Sequence, residues 1–157
     1  MADSREPMME SLHRPFRPYR ARLVAWVLCG TELVALAGLA VLLPAEGPTA
    51  FHWYDRLGVV LVGVLVAVGL TRFAGLAALP DERGLRVRNV FFSRRLDWAQ
   101  IVSVRFGGGN PWAVLDLADG ESLAVMAIQR ADGDRAVAGA RRLATLVALH
   151  SRTERDD

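Results

Sequence analysis

The fold is decided by an apolar stretch, LGVVLVGVLVAVGLTRFAGLAAL, which runs from Leu57 to Leu79 and carries one charge, Arg72. A second stretch, LVAWVLCGTELVALAGLAVLL, runs from Leu23 to Leu43 and also carries one charge, Glu32. A helix needs about 20 residues to cross a hydrocarbon core roughly 30 Å thick. Both stretches are long enough, so the sequence predicts a membrane α-helical hairpin. The predicted spans are residues 21–43 and 57–79.

The remainder of the 157-residue chain has room for one small domain. Hydrophobic residues make up 52% of the chain, but most of the excess lies in the two apolar stretches. A domain built from the residues that follow is of a size that is often only marginally stable alone, and it excludes a large enzyme. The expected organisation is a disordered cytoplasmic tail (1–20), the first span (21–43), an outer loop (44–56), the second span (57–79), a cytoplasmic domain (80–150) and a short tail (151–157).

The distribution of arginine predicts the orientation of the hairpin. All 19 basic residues are Arg; five lie in residues 1–22 and five in residues 80–95, whereas the connecting segment contains only Arg56. Arginine resists translocation, so both termini are expected in the cytoplasm and the protein in the cell (inner) membrane. Aromatic residues of the connecting segment suit the outer interface: Phe51, Trp53 and Tyr54.

Each apolar stretch holds one ionisable residue, and a lone charge in hydrocarbon is costly. Counted from the inner ends, Glu32 and Arg72 lie at similar depths, so we predict that they pair. A proton or ion pathway and pairing with a partner's transmembrane helix in a larger complex are the alternatives. Small residues recur every fourth position of the second span and predict close helix packing. This stripe consists of Gly63, Ala67, Thr71 and Gly75.

After Pro80 the hydrophobic pattern changes from continuous to alternating, which indicates half-buried strands. Asp119-Gly120 predicts a two-residue hairpin with positive φ at both central positions. An amphipathic helix is expected from about Arg135 to His150. These elements predict a small α+β domain in which a bent antiparallel sheet is covered by the C-terminal helix. The expected strands are residues 85–89, 93–96, 102–106, 112–117 and 122–128, with one helical turn at 97–100.

Several of these segments together resemble a bacterial pleckstrin-homology-like (PH) domain, and more narrowly a small actinobacterial group with two preceding membrane helices. They are GLRVRN (84–89), Arg94-Arg95, Asp97-Trp98 with Ile101, Val104 and Phe106, Pro111-Trp112, Asp119-Gly120 and AIQ (127–129). The resemblance covers residues 80–149 and implies a bent sheet of about five to seven strands with a capping helix. It implies no particular function, because this fold hosts lipid binders, peptide binders and oligomerising modules.

Catalysis, metals and cofactors find no support in the sequence. His13, His52 and His150 lie in separate segments, and none has a nucleophile nearby. Cys29 lies within the first span and has no partner at metal-ligand spacing. Asp132 and Asp134 lack the spacing of a calcium loop and are expected to cap a helix. We therefore expect no enzyme, no cofactor and no metal site.

Two binding functions remain open. The first is a protein-interaction or scaffolding adaptor at the membrane, which adds a partner's strand or helix to the tethered domain. The second is binding of anionic lipid headgroups by a basic patch made of Arg86, Arg88, Arg94 and Arg95. The alternative for this patch is a solvated sheet face. Nucleic acid is not expected, because the aromatic residues of the domain fall at core or hairpin positions. The sequence favours the adaptor.

Overall fold

The computed structural model describes residues 11–43, 47 and 52–153, with side chains up to residue 150. The chain divides into two compact units. One consists of residues 21–75, and the other combines residues 1–20 with residues 76–157. The predicted features that fall on residues 1–10, on most of the 44–51 segment including Phe51, and on residues 154–157 lie outside the described residues.

Two helices, α1 (Tyr19–Leu42) and α2 (Trp53–Ala74), account for the apolar stretches. The most apolar 18-residue windows of these helices have mean hydropathies of 2.0 and 2.2, and only 6% and 11% of the residues in those windows are buried. A core helix of a soluble protein would be mostly buried. Length and composition therefore make both helices able to cross a membrane. They begin earlier than predicted, and Trp53 and Tyr54 belong to the first turn of α2.

Within the described residues, the domain contains six antiparallel strands in two three-stranded sheets. The first sheet has the order β1 (Ala77–Pro80), β2 (Gly84–Arg88) and β3 (Ser93–Asp97). The second has the order β4 (Ile101–Arg105), β5 (Trp112–Leu117) and β6 (Ser122–Gln129). A 3-10 turn at Trp98–Gln100 joins the two sheets, and α3 (Asp134–Thr153) ends the described chain. The predicted PH-like architecture and its five strands are confirmed, and α3 extends three residues into the predicted tail.

Strand β1 was not predicted, because its residues were assigned to the second span. The helix α2 ends at Ala74, and the N–H of Gly75 donates to the carbonyl of Thr71 at 3.0 Å. The chain then pairs with β2, with Ala78 opposite Val87 and Pro80 opposite Leu85. A short, continuous apolar run has no hydrophobic periodicity that distinguishes a strand from a helix. The end of the second span was therefore predicted at Leu79, whereas α2 ends at Ala74.

The connection between β5 and β6 is a three-residue loop rather than the predicted two-residue turn. The N–H of Leu117 donates to the carbonyl of Glu121 (2.9 Å), and the N–H of Gly120 donates back to Leu117 (3.0 Å). Only Gly120 has a positive φ, +83°, since no non-glycine residue among those described does. A type I turn followed by a left-handed glycine gives this geometry.

The core lies between the two sheets and α3. Its fully buried side chains come from all three layers: Leu85, Val87, Leu96, Leu115, Val125, Leu143 and Leu146. Trp98 is 4% exposed and stacks on His150 of α3 with ring centroids 4.6 Å apart. Each sheet therefore has one apolar face covered by other elements, so its exposed side chains lie on the outer faces and in the turns.

Residues 11–18, the described part of the segment before α1, pack on the domain, whereas the sequence analysis predicted a disordered tail over residues 1–20. Phe16 exchanges two backbone hydrogen bonds with Ala78 of β1, at 2.8 and 3.0 Å. Its side chain is 4% exposed and belongs to the core. The sequence prediction relied on the prolines and charges of the segment, and a contact between positions so far apart leaves no local pattern.

Candidate functional site: the outer face of the first sheet

Three arginines share the outer face of the first sheet. In β2, Arg86 and Arg88 are exposed and alternate with Leu85 and Val87, which face the core. Arg86 lies opposite Arg95 of β3 in the antiparallel register. Side chains of directly opposed residues point to the same face, so Arg95 joins this group. Three of the four residues predicted to form a basic patch, Arg86, Arg88 and Arg95, thus lie on one face of the sheet.

The four arginines differ in whether their charge is already paired. Arg95 donates to the carboxylate of Asp81 at 2.8 Å. Asp81 also accepts hydrogen bonds from the backbone N–H groups of Arg83 and Gly84, so it is held in the β1–β2 turn. Within the described part of the chain, Arg86 and Arg88 take part in no ion pair.

Arg94 does not belong to this patch, which corrects the sequence prediction. It lies opposite Val87, so it emerges on the other face of the sheet. Its guanidinium donates to Glu121 at 2.7 Å and lies 3.6 Å from Asp119, both in the β5–β6 connection. The hydrogen bond from Arg94 to Glu121 raises the pKa of Arg94 above its usual value. The prediction treated adjacent residues as neighbours, although successive residues of a strand point to opposite faces.

The β2–β3 hairpin next to the arginines ends in exposed aromatic residues. Phe91 is 88% exposed and Phe92 is 50% exposed. Turns are usually polar, so two consecutive phenylalanines between predicted strands were a signal that the sequence analysis did not use. We call Val90, Phe91 and Phe92 the hairpin tip.

The base of the hairpin tip is fixed to the second sheet by Asn89, the one polar residue that is buried among those described (5% exposed). Its Nδ2 donates to the carbonyl of Ala124 at 2.8 Å, and its Oδ1 accepts from the N–H of Met126 at 3.2 Å. The N–H of Asn89 also donates to the carbonyl of Phe92 at 2.9 Å, which closes the turn. The two phenylalanines are therefore exposed on a turn whose base is fixed by hydrogen bonds.

A second charged group lies on the second sheet and has a structural explanation. Arg105 donates twice to the carboxylate of Asp116, at 2.7 and 2.8 Å, and Ser103 donates to it at 2.7 Å. These hydrogen bonds, led by that of Arg105, lower the pKa of Asp116 to about 2. So low a pKa makes this carboxylate a weak general base near neutral pH.

A cleft of about 330 Å³ separates the segment before α1 from α3 and the end of β6. Arg142 lies over the ring of Phe16, with its Cζ 3.8 Å from the ring centroid. It also donates to the backbone carbonyls of Ser11 and Arg14, at 3.3 and 2.9 Å. Burial, together with the nearby charge of Arg14, lowers the pKa of Arg142. These contacts fasten the segment to the domain, which assigns Arg142 a structural role.

Asp132 caps the first helix rather than the last. Its two carboxylate oxygens accept hydrogen bonds from the backbone N–H groups of Tyr19 and Arg20, each at 2.9 Å. A carboxylate at a helix N-terminus satisfies N–H groups that have no partner within the helix. Among the described residues no group of three or more His, Cys, Asp or Glu could hold a metal ion.

The predicted ion pair between Glu32 and Arg72 is absent from the described part of the chain. The close approach of the helices is at Gly63, where an added Cβ would lie 2.6 Å from Cδ1 of Leu36. In an antiparallel pair with that register, Arg72 lies about five residues, or roughly 7.5 Å, along the axis from Glu32. The prediction counted depth from the flanking charges, whereas packing at Gly63 sets the register.

Only one end of the predicted small-residue stripe is used for this packing. Gly63 is buried and Ala67 is half-buried, whereas Thr71 is exposed and Gly75 lies beyond the end of α2. The hydroxyl of Thr71 donates to the carbonyl of Val68 within the helix, at 2.9 Å. The helices therefore approach closely at one glycine.

Comparisons with known proteins agree with this architecture. A family model described as a bacterial PH domain matches residues 81–145. Two uncharacterized proteins, from Mycobacterium tuberculosis (strain H37Rv) and Mycobacterium bovis, are each 35% identical over 135 residues, which is 85% of this chain and 88% of the relative. An alignment of that length reaches beyond the domain and includes part of the helical hairpin. No solved structure matches the chain.

Proposed function

Since the chain belongs to the bacterial PH domain family, we propose that it is a non-enzymatic membrane protein whose PH-like domain docks on anionic lipid headgroups at the cytoplasmic face of the cell membrane. The helices α1 and α2 span the bilayer, and both termini lie in the cytoplasm. One observation carries the docking: Arg86 and Arg88 are exposed on one strand face and have no ion-pair partner within the described residues.

The magnitude of this attraction suits a tethered domain. Each arginine near an anionic surface contributes about 1 kcal/mol, so Arg86 and Arg88 together shift docking by roughly 30-fold. Arg95 contributes less because Asp81 lies 2.8 Å from its guanidinium. Two residues separate the end of α2 from the start of β1. A tether this short keeps the domain at high effective concentration near the bilayer, so weak binding suffices.

The test measures docking of the full chain in lipid nanodiscs by resonance energy transfer. A donor dye is attached to Ala118→Cys, at the exposed β5–β6 turn, in a Cys29→Ala background, and an acceptor is carried on a lipid headgroup. We expect more energy transfer in nanodiscs of phosphatidylcholine with phosphatidylglycerol than in phosphatidylcholine alone. The difference should shrink as salt rises, since salt screens surface charges.

Two matched double variants test whether docking depends on the position of the arginines or only on the net charge of the domain. Arg86→Gln/Arg88→Gln should abolish most of the dependence on phosphatidylglycerol. Arg130→Gln/Arg141→Gln removes the same charge from exposed positions outside the first sheet and should leave docking nearly unchanged. Headgroup binding by this face would be contradicted if the two double variants lost docking equally. It would also be contradicted if energy transfer were the same in nanodiscs with and without phosphatidylglycerol.

The second candidate is the adaptor, and the observation that favours it is the edge of the first sheet. Strand β3 is hydrogen-bonded on one side only, to β2, within the described residues. An open edge can accept a partner's strand through backbone hydrogen bonds. A photoreactive residue at Ser93 should then crosslink one cytoplasmic protein in high salt, whereas the same residue at Ala118 should not. Crosslinking that disappears with salt would oppose the adaptor.

A further inference from the structure

We propose that the hairpin tip inserts into the bilayer interface when the domain docks, so that Phe91 and Phe92 enter the boundary between headgroups and acyl chains while Arg86 and Arg88 contact the phosphates. The inference rests on the proposed docking and adds to it an apolar contribution that charge alone does not provide. Phe91 carries the argument, because 88% of it is exposed in the folded domain.

The tip is built to present an apolar surface. From Val90 to Phe92 it contains no polar side chain, although water-exposed turns normally favour polar residues. Asn89 holds its base through two hydrogen bonds to β6. These hydrogen bonds hold the base of the turn in place while Phe91 stays 88% exposed and Phe92 50% exposed. A preformed apolar tip loses little conformational entropy on insertion.

Charge complementarity favours an anionic bilayer as the occupant. Arg88 directly precedes Asn89 at the base of the tip, and Arg86 lies two residues further along the same outer face. Interfacial segments combine phenylalanine or tryptophan with arginine or lysine in this way, because the rings enter the boundary while the charges stay with the headgroups. The chain also keeps its domain at a bilayer through the two proposed spans. A protein partner would have to compete with that surface.

The test places a fluorine probe on the tip and retains the aromatic ring. Phe91→4-fluorophenylalanine is introduced into the full chain, and its ¹⁹F signal is recorded in nanodiscs with a water-soluble gadolinium chelate or with dissolved oxygen. In nanodiscs containing phosphatidylglycerol we expect protection from the chelate and stronger relaxation by oxygen, which concentrates in the acyl region. A matched probe, Ala118→4-fluorophenylalanine on the exposed β5–β6 turn, should stay accessible to the chelate.

A second measurement uses the energy-transfer assay for docking. Phe91→Ser/Phe92→Ser should weaken docking by about tenfold or more, the range expected when buried phenylalanine is lost. Phe91→Leu/Phe92→Leu should retain most of the docking, because leucine is also apolar. An unchanged unfolding midpoint in Phe91→Ser alone checks that the fold is intact.

The outcomes separate the inference from the proposed function. If the ring stays accessible to the chelate while docking still depends on Arg86 and Arg88, insertion is overturned and headgroup binding survives. If the unmodified domain does not dock on anionic nanodiscs, the proposed function fails first. Protection from the chelate without a gain in oxygen relaxation would also overturn insertion, since it indicates burial against protein, either a second copy or a partner.

Discussion

Phe16→Ala should destabilise the domain. Phe16 belongs to the segment before α1, and the rest of the domain begins 60 residues later, at Leu76. Phe16 is 4% exposed within the core, and Arg142 stacks on its ring at 3.8 Å. Truncation of a buried phenylalanine costs about 3–5 kcal/mol. A small domain is stable by about 5–15 kcal/mol in total, so the loss is a large share.

Hydrogen exchange of the full chain in nanodiscs measures this effect. Amides of the buried strands β2 and β5 exchange through global opening, so their protection should fall by about 150-fold for a loss of 3 kcal/mol. The control truncates an exposed residue of the same domain outside the hairpin tip, Val102→Ala (65% exposed), which should change the free energy of opening by less than about 0.5 kcal/mol. Equal protection in Phe16→Ala and Val102→Ala would refute the packing of this segment into the domain core.

Three further predictions follow from single contacts. Asn89→Ala removes both side-chain hydrogen bonds to β6 and should cost about 2–4 kcal/mol in the same exchange measurement, because a buried donor and acceptor lose their partner; protection unchanged from the parent would contradict this. Gly63→Leu should lower the thermal midpoint of the hairpin in detergent, since a Cβ there meets a side chain of α1 at 2.6 Å, whereas Gly69→Leu, with nothing within 4 Å, should not. The Asp116 pKa of about 2 lies below its ordinary 3.8, so its stabilising effect is complete above that ordinary value and is lost as pH falls through the folded value. Arg105→Gln should raise the pKa of Asp116 toward 3.8 in a carboxyl NMR titration, and an unshifted titration would show that Arg105 is not the cause.

The arginines of the first sheet differ in whether an acidic side chain already binds them. Arg94 is held by Glu121 and Asp119, whereas Arg86 and Arg88 have no acidic neighbour bonded to them among the described residues. An anionic surface therefore need not displace an existing ion pair to reach Arg86 and Arg88. The same reasoning makes Arg94→Gln a poor probe of docking, since it would chiefly disturb the contact between the two sheets.

Periodic features of the molecule were readable from sequence. Two apolar runs predicted the helices, because a span needs only length and hydrophobicity. Alternation from Leu85 onward predicted five of the six strands, because one face of each is buried and the other is wet. The 3.6-residue pattern after Asp134 predicted the C-terminal helix. These signals are local, so no knowledge of the fold was required.

What only the tertiary structure decided depends on partners far apart in the chain. The β2–β3 register separates Arg94 from Arg86 and places Arg86 and Arg88 on the outer face, where neither forms an ion pair with any described residue. Packing of Leu36 at Gly63 sets the helix register and keeps Glu32 from Arg72. Phe16 is buried because β1 and α3, both far along the chain, pack beside it. Such contacts form because they lower the free energy of the whole packed structure. The local sequence around each residue therefore does not predict them.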